Sequence, residues 1–322
     1  MKILVTGGAG FIGSNFIHYW LKKYQQDEII NLDKLTYAGN LSNLKDIESN
    51  PRYKFIEGDI CDFDLVNEIV KEVELIVHFA AESHVDRSIK DSGAFVRTNV
   101  EGTRVLLEAA RLAGGIRFHH VSTDEVFGSL NMDDERFNED TPYSPRSPYS
   151  ASKAASDHLV RAYFHTHNLP ITISNCSNNY GPFQHVEKLI PLFVTNLLVG
   201  KKVPLYGTGM NIRDWIHVDD HNRGVDMIIK KGNLGETYLL GANSERSNLE
   251  ISKEILKLMG EGDDKIEYVE DRLGHDLRYG INFSKAEREL GFKPEYTFSE
   301  GLQETINWYK NNVKWWETNK IK

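Results

Sequence analysis

The chain has 322 residues, 40% of them hydrophobic and 26% charged, so it can bury the core of one large domain or two small ones. Its formal net charge of −9 disfavours nucleic acid as the main partner. The 2 cysteines are too few for a disulfide framework, and neither a signal peptide nor a membrane-spanning run is predicted, so we expect a cytoplasmic protein. The 12 histidines show no tight metal-ligand cluster, and no metal is expected.

The first 33 residues predict a strand, a glycine-rich turn, a helix and a second strand. The apolar run at residues 3–5 is typical of a strand that is buried on both faces. It is followed by four glycines, namely Gly7, Gly8, Gly10 and Gly13. Glycines at this spacing permit a tight turn and a close approach of the backbone to a pyrophosphate at a helix N-terminus. The sequence therefore predicts a dinucleotide-binding site.

Asp33 indicates which dinucleotide binds. It lies at the end of the second predicted strand, about 20 residues beyond the last glycine. A carboxylate at this place accepts hydrogen bonds from the adenosine ribose and repels a 2′-phosphate. We therefore expect NAD rather than NADP.

Strands and helices alternate through the first half of the chain. Further strand patterns lie at residues 53–59, 75–79, 117–122 and 172–175, with helical periodicity between them. This alternation predicts an α/β fold with a Rossmann-type, doubly wound parallel sheet.

The alternation becomes looser beyond residue 180, where glycine, proline and charged residues are more frequent. We therefore expect an NAD-binding domain over residues 1–177 and a smaller C-terminal α/β substrate-binding lobe over residues 178–322. Segments near residues 212–241 are expected to return to the first domain. Residues 302–316 are predicted to form one amphipathic helix.

Polar residues follow several predicted strands. In an open α/β sheet, ligands bind beyond the carboxyl ends of the strands. This rule places Asp33, Asp59, Ala80–Ala81, Thr123–Glu125 and Asn175 along one edge. One site built from residues distant in the chain is therefore predicted.

Tyr149 and Lys153 are four residues apart on a predicted helix that Ser147 and Pro148 open. The lysine charge stabilises a phenolate and is expected to lower the pKa of Tyr149 toward a range useful for base catalysis. By itself this spacing also occurs on solvated helix surfaces. Together with the dinucleotide fingerprint and Thr123 at a strand end, it predicts hydride-transfer chemistry.

Asp124 and Glu125 provide an acid and a base that hydride transfer alone does not need. Mutual repulsion separates the titrations of two close carboxyls, so one is protonated while its neighbour is ionised. Such a pair suits elimination of water. The alternative is that one of them caps a helix or faces solvent.

These residues resemble the extended short-chain dehydrogenase/reductase family over essentially the whole chain, and within it the dTDP-glucose 4,6-dehydratases. The matching segments are Thr6–Ser14, Asp33–Asn40, Ala80–Ser88, Asn178–Pro182, Glu187–Pro191, Ile212–Trp215 and Gly274–Tyr279. The resemblance implies an NAD-dependent hydro-lyase that oxidises C4 of dTDP-glucose, eliminates water across C5 and C6, and returns the hydride to C6. It further implies synthesis of a deoxysugar, commonly L-rhamnose, and a homodimer through helices around residues 95–113 and 150–166.

The resemblance also implies roles for single residues. Tyr149, supported by Lys153, takes the proton of the 4-hydroxyl, Thr123 bonds to the 4-oxygen, Glu125 removes the C5 proton, and Asp124 protonates the departing 6-hydroxyl. The expected NAD contacts are Gly7, Gly10, Phe11, Ile12, Gly13, Asp33, Lys34, Thr36, Asp59, Ile60, Ala80, Ala81, Thr98, Tyr149 and Lys153. The expected sugar-nucleotide contacts are Ser83, His84, Thr123, Asn178, Lys188, Leu189, Arg213, Asn248, Arg272 and His275.

Three positions depart from the family pattern: Phe127 replaces a tyrosine, and Val186 and Leu273 replace prolines. Loss of the prolines loosens the backbone beside the expected nucleotide pocket. Two other functions remain open: a related NAD enzyme, either a UDP-glucose 4,6-dehydratase or a nucleotide-sugar epimerase, and a non-enzymatic NAD sensor. The carboxyl pair disfavours the epimerase, and the Thr123, Tyr149 and Lys153 set disfavours the sensor.

Overall fold

The computed structural model describes residues 1–271 and 274–320. Its strands are β1 (Lys2–Thr6), β2 (Glu28–Asp33), β3 (Tyr53–Glu57), β4 (Leu75–His78), β5 (Arg117–Thr123), β6 (Ile171–Cys176), β7 (Asn178–Tyr180), β8 (Val203–Tyr206), β9 (Ile212–His217), β10 (Thr237–Leu240), β11 (Glu245–Ser247) and β12 (Ile266–Val269).

Its α-helices are α1 (Phe11–Lys23), α2 (Phe63–Val70), α3 (Val85–Lys90), α4 (Ser92–Phe95), α5 (Thr103–Leu112), α6 (Pro148–His167), α7 (Leu189–Leu198), α8 (Val218–Lys231), α9 (Asn248–Met259), α10 (Ser284–Leu290), α11 (Phe298–Asn311) and α12 (Val313–Lys320). Shorter 3₁₀ segments lie at Leu41–Ile47, Asp124–Phe127 and Asp263–Lys265, and a π-helical segment, Val96–Gly102, joins α4 to α5. Within the described residues, no helix has both the length and the apolar composition that a membrane crossing needs.

Seven parallel strands form the main sheet in the order β10-β6-β5-β4-β1-β2-β3. The chain runs outward from β1 on one side, then returns to β4 on the other, which is the doubly wound arrangement. The predicted Rossmann-type α/β fold is therefore confirmed.

Helices cover both faces of this sheet, and alternate side chains of β1 belong to opposite cores. Ile3 and Val5 pack in a cluster with residues of α1 and α8, such as Phe16 and Val225. Leu4 belongs to a second cluster, with residues of α2, α5 and α6. This two-sided burial explains why the strands are continuous apolar runs in the sequence.

The C-terminal half forms a smaller lobe. Strands β7, β9 and β11 make a three-stranded sheet in the order β11-β9-β7, and β8 pairs in parallel with β12. Helices α7, α9, α11 and α12 pack together around a third apolar cluster.

The segments near residues 212–241 divide between the two parts of the molecule. As expected, residues 237–240 return to the main sheet, where β10 pairs with β6. Residues 212–217 do not return, because β9 pairs with β7 and β11 in the small sheet. Between them, α8 packs on α1, and Asp226 accepts hydrogen bonds from the hydroxyls of Tyr19 and Tyr24.

The predicted C-terminal helix over residues 302–316 is two helices, α11 and α12, separated at Asn312. Their aromatic residues pack, as expected: Trp316 is buried, and Trp308 lies edge-on to Phe183, with ring centroids 4.9 Å apart. Trp315 Nε1 donates a hydrogen bond to Asn43 Oδ1. These contacts join the end of the chain to the loop after β2.

Candidate active site

A cavity of about 320 Å³ opens at the carboxyl ends of the central strands of the main sheet. The residues predicted to contact the cofactor all line it: Gly7, Gly10, Phe11, Ile12, Gly13, Asp33, Lys34, Thr36, Asp59, Ile60, Ala80, Ala81, Thr98, Tyr149 and Lys153. Thr123, Asp124 and Glu125 line the same cavity. The structure therefore brings the predicted cofactor residues and the predicted catalytic residues into one space.

The glycine loop forms a cradle that side chains would fill. Gly7 has φ +71°, and a Cβ there would lie 2.6 Å from the backbone of Ala80. A Cβ on Gly13 would lie 2.4 Å from the carbonyl oxygen of Gly7. Among the described residues no side chain caps the first turn of α1, so its backbone N–H groups can bind a ligand. This loop fits the pyrophosphate of a dinucleotide.

The Asp33 carboxylate is fixed at the end of β2. Its Oδ2 accepts a hydrogen bond from Ala9 N, and its Oδ1 accepts one from Leu35 N, both at 2.9 Å. Burial raises the pKa of Asp33, and these hydrogen bonds oppose that rise. Nearby, Lys34 Nζ lies 2.8 Å from Asp59 Oδ2. Since Lys34 pairs with a carboxylate, these contacts fit an unphosphorylated ribose, as in NAD.

Asp124 and Glu125 follow β5 in a 3₁₀ turn that Thr123 caps. The Thr123 hydroxyl accepts a hydrogen bond from Glu125 N and donates one to Asp124 Oδ1, each at 3.3 Å. Asp124 is only 1% exposed, whereas Glu125 is half-buried. The two adjacent carboxyls therefore have different surroundings.

The pKa of Asp124 lies well above its usual range. Burial is the main cause, the charges of Glu125 and Asp214 add to it, and the charge of Arg213 opposes it. This shift favours the protonated form of the carboxyl, which can donate a proton. The arrangement suits acid chemistry at Asp124.

Helix α6 presents Tyr149 and Lys153 to the cavity. Its N-terminus is fixed by a reciprocal capping box between Ser147 and Ser150, followed by Pro148 in the first turn. Lys153 Nζ donates a hydrogen bond to Val121 O at 2.9 Å. Burial lowers the pKa of Lys153 to about 8, and the charges of Asp157 and Cys176 oppose that fall.

The expected fall in the pKa of Tyr149 is not produced by the protein alone. Burial raises this pKa well above its usual value, and the charge of Glu125 adds to the rise. The nearby Thr123 hydroxyl opposes this rise. Desolvation therefore raises the pKa of Tyr149, although its spacing to Lys153 predicted a fall.

Four of the predicted sugar-nucleotide residues line the cavity: Ser83, Thr123, Asn178 and Lys188. Lys188 Nζ donates a hydrogen bond to Ser83 O at 3.3 Å, which joins the smaller lobe to the loop after β4. His84 and Leu189 are the chain neighbours of Ser83 and Lys188 and do not line the cavity itself. His84 Nε2 lies 3.6 Å from the cavity-lining carboxylate of Glu187.

Three other predicted sugar-nucleotide residues, Arg213, Asn248 and His275, lie in the smaller lobe, outside the cavity lining. Arg213 donates hydrogen bonds to Ile212 O and Asp276 O and lies 4.1 Å above the ring of Tyr279. Asn248 begins α9, and its backbone N donates to Asn211 O. The His275 ring lies 2.7 Å from Asp271 Oδ1. Arg272 lies outside the described residues.

Two of the departures from the family pattern are buried apolar contacts. Phe127 stacks against Phe137 at 5.2 Å and lies edge-on to Tyr143. Val186 is buried in the core of the smaller lobe, directly before Glu187. Leu273 lies outside the described residues.

Sequence reasoning missed a group of charged and aromatic residues at the cavity. The Arg87 guanidinium lies 3.6 Å above the ring of Tyr37 and 3.6 Å from Glu187 Oε2. Tyr37 and Glu187 line the cavity, as do Glu82 and His185. Tyr37 and Glu187 stand in segments that carry the family resemblance, but neither lies at a strand end, so the strand-edge rule did not select them.

Comparisons with known proteins agree with this geometry. The family model described as GDP-mannose 4,6 dehydratase matches residues 4–305. The dTDP-glucose 4,6-dehydratase of Mycobacterium tuberculosis is 52% identical over 318 residues, which cover 98% of this chain and 95% of the relative.

Two similar solved structures are also dTDP-glucose 4,6-dehydratases. The enzyme from Bacillus anthracis, in complex with NAD, has a TM-score of 0.93 and 51% identity and covers 99% of both chains. DesIV from Streptomyces venezuelae, with NAD bound, has a TM-score of 0.97 and 50% identity over 99% of this chain and 100% of that chain. The chain therefore belongs to the dTDP-glucose 4,6-dehydratases, within the family that the GDP-mannose 4,6 dehydratase model describes.

Proposed function

We propose that the chain is an NAD-dependent hydro-lyase that converts dTDP-glucose to dTDP-4-dehydro-6-deoxy-glucose. One observation carries this function beyond simple oxidation: a buried carboxyl, Asp124, stands directly beside a half-buried one, Glu125, in the cavity that holds Tyr149 and Lys153. Hydride transfer needs a base at the hydroxyl that is oxidised. Elimination also needs a second base and an acid, and this pair supplies them.

Each step has a residue of this chain beside it. Tyr149 accepts the proton of the 4-hydroxyl while the Thr123 hydroxyl bonds to the same oxygen. NAD, when bound, would supply the acceptor for the C4 hydride and the donor that returns it to C6. The new ketone acidifies the C5 proton, which Glu125 removes, and Asp124 gives its proton to the 6-hydroxyl as water leaves. Return of the hydride to C6 leaves an enolate, which takes back a proton at C5 from Glu125. The raised pKa of Asp124 supports its part, because the group must hold a proton before elimination.

Binding of the nucleotide is divided between the two parts of the molecule. Asn178 and Lys188 contribute from the smaller lobe, and Ser83 contributes from the loop after β4. Arg213 suits a diphosphate, because a guanidinium presents parallel donors to its oxygens. Its charge already acts on Asp124 and Tyr279.

Three further features are part of this proposal: a homodimer, a cytoplasmic location, and a product used for deoxysugar synthesis, with L-rhamnose expected. The dimer is supported by exposed apolar side chains on the surface from α4 to α5, including Val96 and Leu112. The location is supported by two cysteines that are both free thiols, Cys61 and Cys176.

The first test is incubation of the purified protein with dTDP-glucose, and separately with UDP-glucose, without added NAD. Mass spectrometry should show loss of one water from dTDP-glucose, which requires both dehydration and a retained cofactor. Equal loss of water from UDP-glucose would show that the enzyme accepts the uridine nucleotide as well as the thymidine nucleotide. If neither substrate loses water even with NAD supplied, the roles of Asp124 and Glu125 are wrong and an epimerase or a sensor is favoured.

A further inference from the structure

Three buried side chains form a line that starts at the cavity. Lys153 lines the cavity, whereas His120 and Asp157 lie behind it. His120 Nε2 is 3.4 Å from Lys153 Nζ and 3.1 Å from Asp157 Oδ1. His120 and Asp157 are completely buried. One ring nitrogen of His120 therefore contacts both the ammonium group and the carboxylate.

His120 makes its polar contacts through one ring nitrogen. Nδ1 has no hydrogen-bond partner among the described residues, whereas Nε2 faces Lys153 Nζ, the Ser156 hydroxyl at 3.3 Å and Asp157 Oδ1. With its proton on Nδ1, the ring can accept a hydrogen bond from Lys153 at Nε2, and with its proton on Nε2 it can donate to Asp157. Burial lowers the pKa of His120 to about 4, and the charge of Lys153 adds to that fall. The ring is therefore neutral at physiological pH.

Asp157 is held as a carboxylate from its other side. Oδ2 accepts hydrogen bonds from Tyr143 Oη at 2.7 Å, Ser122 Oγ at 3.0 Å and Asn175 Nδ2 at 3.2 Å. Arg161 donates to the same Tyr143 hydroxyl at 2.8 Å. Burial opposes ionisation of Asp157, but His120, Lys153 and Tyr143 together bring its pKa below the usual value.

Lys153 needs a counter-charge. An ammonium group buried without one loses its proton, because desolvation disfavours the charged form. Val121 O supplies only a dipole. The negative charge within the same buried network is that of Asp157, whose Oδ1 lies on the same His120 nitrogen as Lys153 Nζ and whose charge raises the pKa of Lys153.

We propose that Asp157, acting through His120, is the counter-charge that keeps Lys153 an ammonium while Tyr149 exchanges its proton with the substrate. His120 and Asp157 are positioning residues in this scheme, since neither lines the cavity. The inference rests on the proposed function, in which Lys153 supports Tyr149.

Other titratable groups surround this line on every side. They are His78 on β4, His119 on β5, Cys176 on β6, Tyr149 and Arg161 on α6, Tyr143 in the loop before α6, and Asp124 and Glu125 after β5. Burial keeps His78 neutral by lowering its pKa, and it raises the pKa of the Cys176 thiol to about 12. These two neighbours therefore supply no compensating charge at neutral pH.

The test is the pH profile of kcat/KM for dTDP-glucose in Asp157→Asn holoenzyme. Loss of the negative charge should move the alkaline limb to lower pH by about one unit. At pH 8, kcat should fall roughly fivefold, with KM within about twofold of wild type. Tyr143→Phe is the matched control: it removes a hydrogen bond to Asp157 and keeps the charge, so stability should fall while the limb stays in place. A folded Asp157→Asn enzyme with bound NAD and an unmoved limb overturns the inference.

A pair of His120 variants gives the second measurement if Asp157→Asn does not fold. The Gln amide in His120→Gln can donate to Asp157 and accept from Lys153, so the limb and kcat should stay near wild type. His120→Leu can do neither, and kcat should fall roughly tenfold. If the two variants have equal kcat values and the same alkaline limb of the pH profile, the inference is overturned. Wild-type enzyme in the same assay separates the two proposals, because its failure to dehydrate dTDP-glucose contradicts only the proposed function.

Discussion

At the scale of single residues, two neighbouring carboxyls acquire different chemistry from their surroundings alone. Asp124 is buried at the start of a 3₁₀ turn, and Glu125 is partly open to the cavity. The residue types predicted that two adjacent carboxyls would titrate apart, and only the family resemblance implied that Asp124 is the acid. The fold supplies a physical reason for that assignment, because it buries Asp124 and adds the charge of Asp214 to the charge of Glu125.

Replacement of Glu125 tests whether this residue acts in elimination and not in hydride transfer. Glu125→Gln should still reduce bound NAD when dTDP-glucose is added, because Tyr149 and Thr123 are intact. Water loss should fall by roughly 10²–10⁴-fold, the usual effect of removing a general base. Cofactor absorbance reports the first step, and mass spectrometry reports the second.

Tyr149→Phe is the matched control, since it should block reduction of NAD as well. Full turnover by Glu125→Gln would remove that residue from its role. Accumulation of reduced cofactor in Tyr149→Phe would contradict the assignment of the first base.

The pH dependence follows from the same surroundings. Lys153 acts as an ammonium, and burial lowers its pKa to about 8, so the active form is complete below that pH and is lost as pH rises through it. Asp124 must be protonated, and its raised pKa gives a loss in the same direction. We expect kcat/KM to fall about tenfold per pH unit on the alkaline side. A flat profile up to pH 10 would contradict the role of Lys153.

At the scale of elements, the local sequence determined most of what positions the site. The glycine loop, the strand ends and the start of α6 were predictable because each depends on signals within a few residues: glycine spacing, a buried apolar run, and a Ser-Pro cap. Pairing between strands distant in the chain was harder to predict from the sequence. Residues 212–217 have strand character, but their place in the small sheet depends on partners β7 and β11 and on β10 occupying the edge beside β6.

The glycine loop gives a prediction at this scale. In Gly13→Ala the new Cβ meets the Gly7 carbonyl oxygen at 2.4 Å, so the loop must open. The purified variant should lose most of its bound NAD, as measured by the cofactor released on denaturation. Gly93→Ala, whose Cβ would approach only Asp91 Oδ1 at 3.3 Å, is the control away from the cavity. Wild-type NAD content in Gly13→Ala would show that the loop does not hold the cofactor.

At the scale of the whole molecule, the cavity is shared between the main sheet and the smaller lobe. Glycines of β1–α1 form one wall, and Asn178, Lys188 and Glu187 belong to the other part of the chain. Sequence analysis anticipated residues from both parts but not the contacts among Arg87, Tyr37 and Glu187, since these need side chains from α3 and from two separate loops to meet.

A shared cavity predicts that ligands stabilise the molecule as a unit. At a concentration 100-fold above its Kd, dTDP should add about 2.7 kcal/mol to the free energy of unfolding of NAD-loaded protein. That gain corresponds to a rise in Tm of several degrees for a chain of this size. Thermal melts with dTDP, with UDP and with neither measure it, and an unchanged Tm with dTDP would contradict nucleotide binding in this cavity.

Tyr149, Lys153 and Asp157 are successive members of an i, i+4, i+8 series on α6, a helix of 20 residues. Such a series forms one stripe along a rigid rod. The spacing within this stripe is set by the helix and does not depend on the position of the smaller lobe. The proton-handling groups thus keep their mutual alignment wherever the bound sugar lies in the cavity.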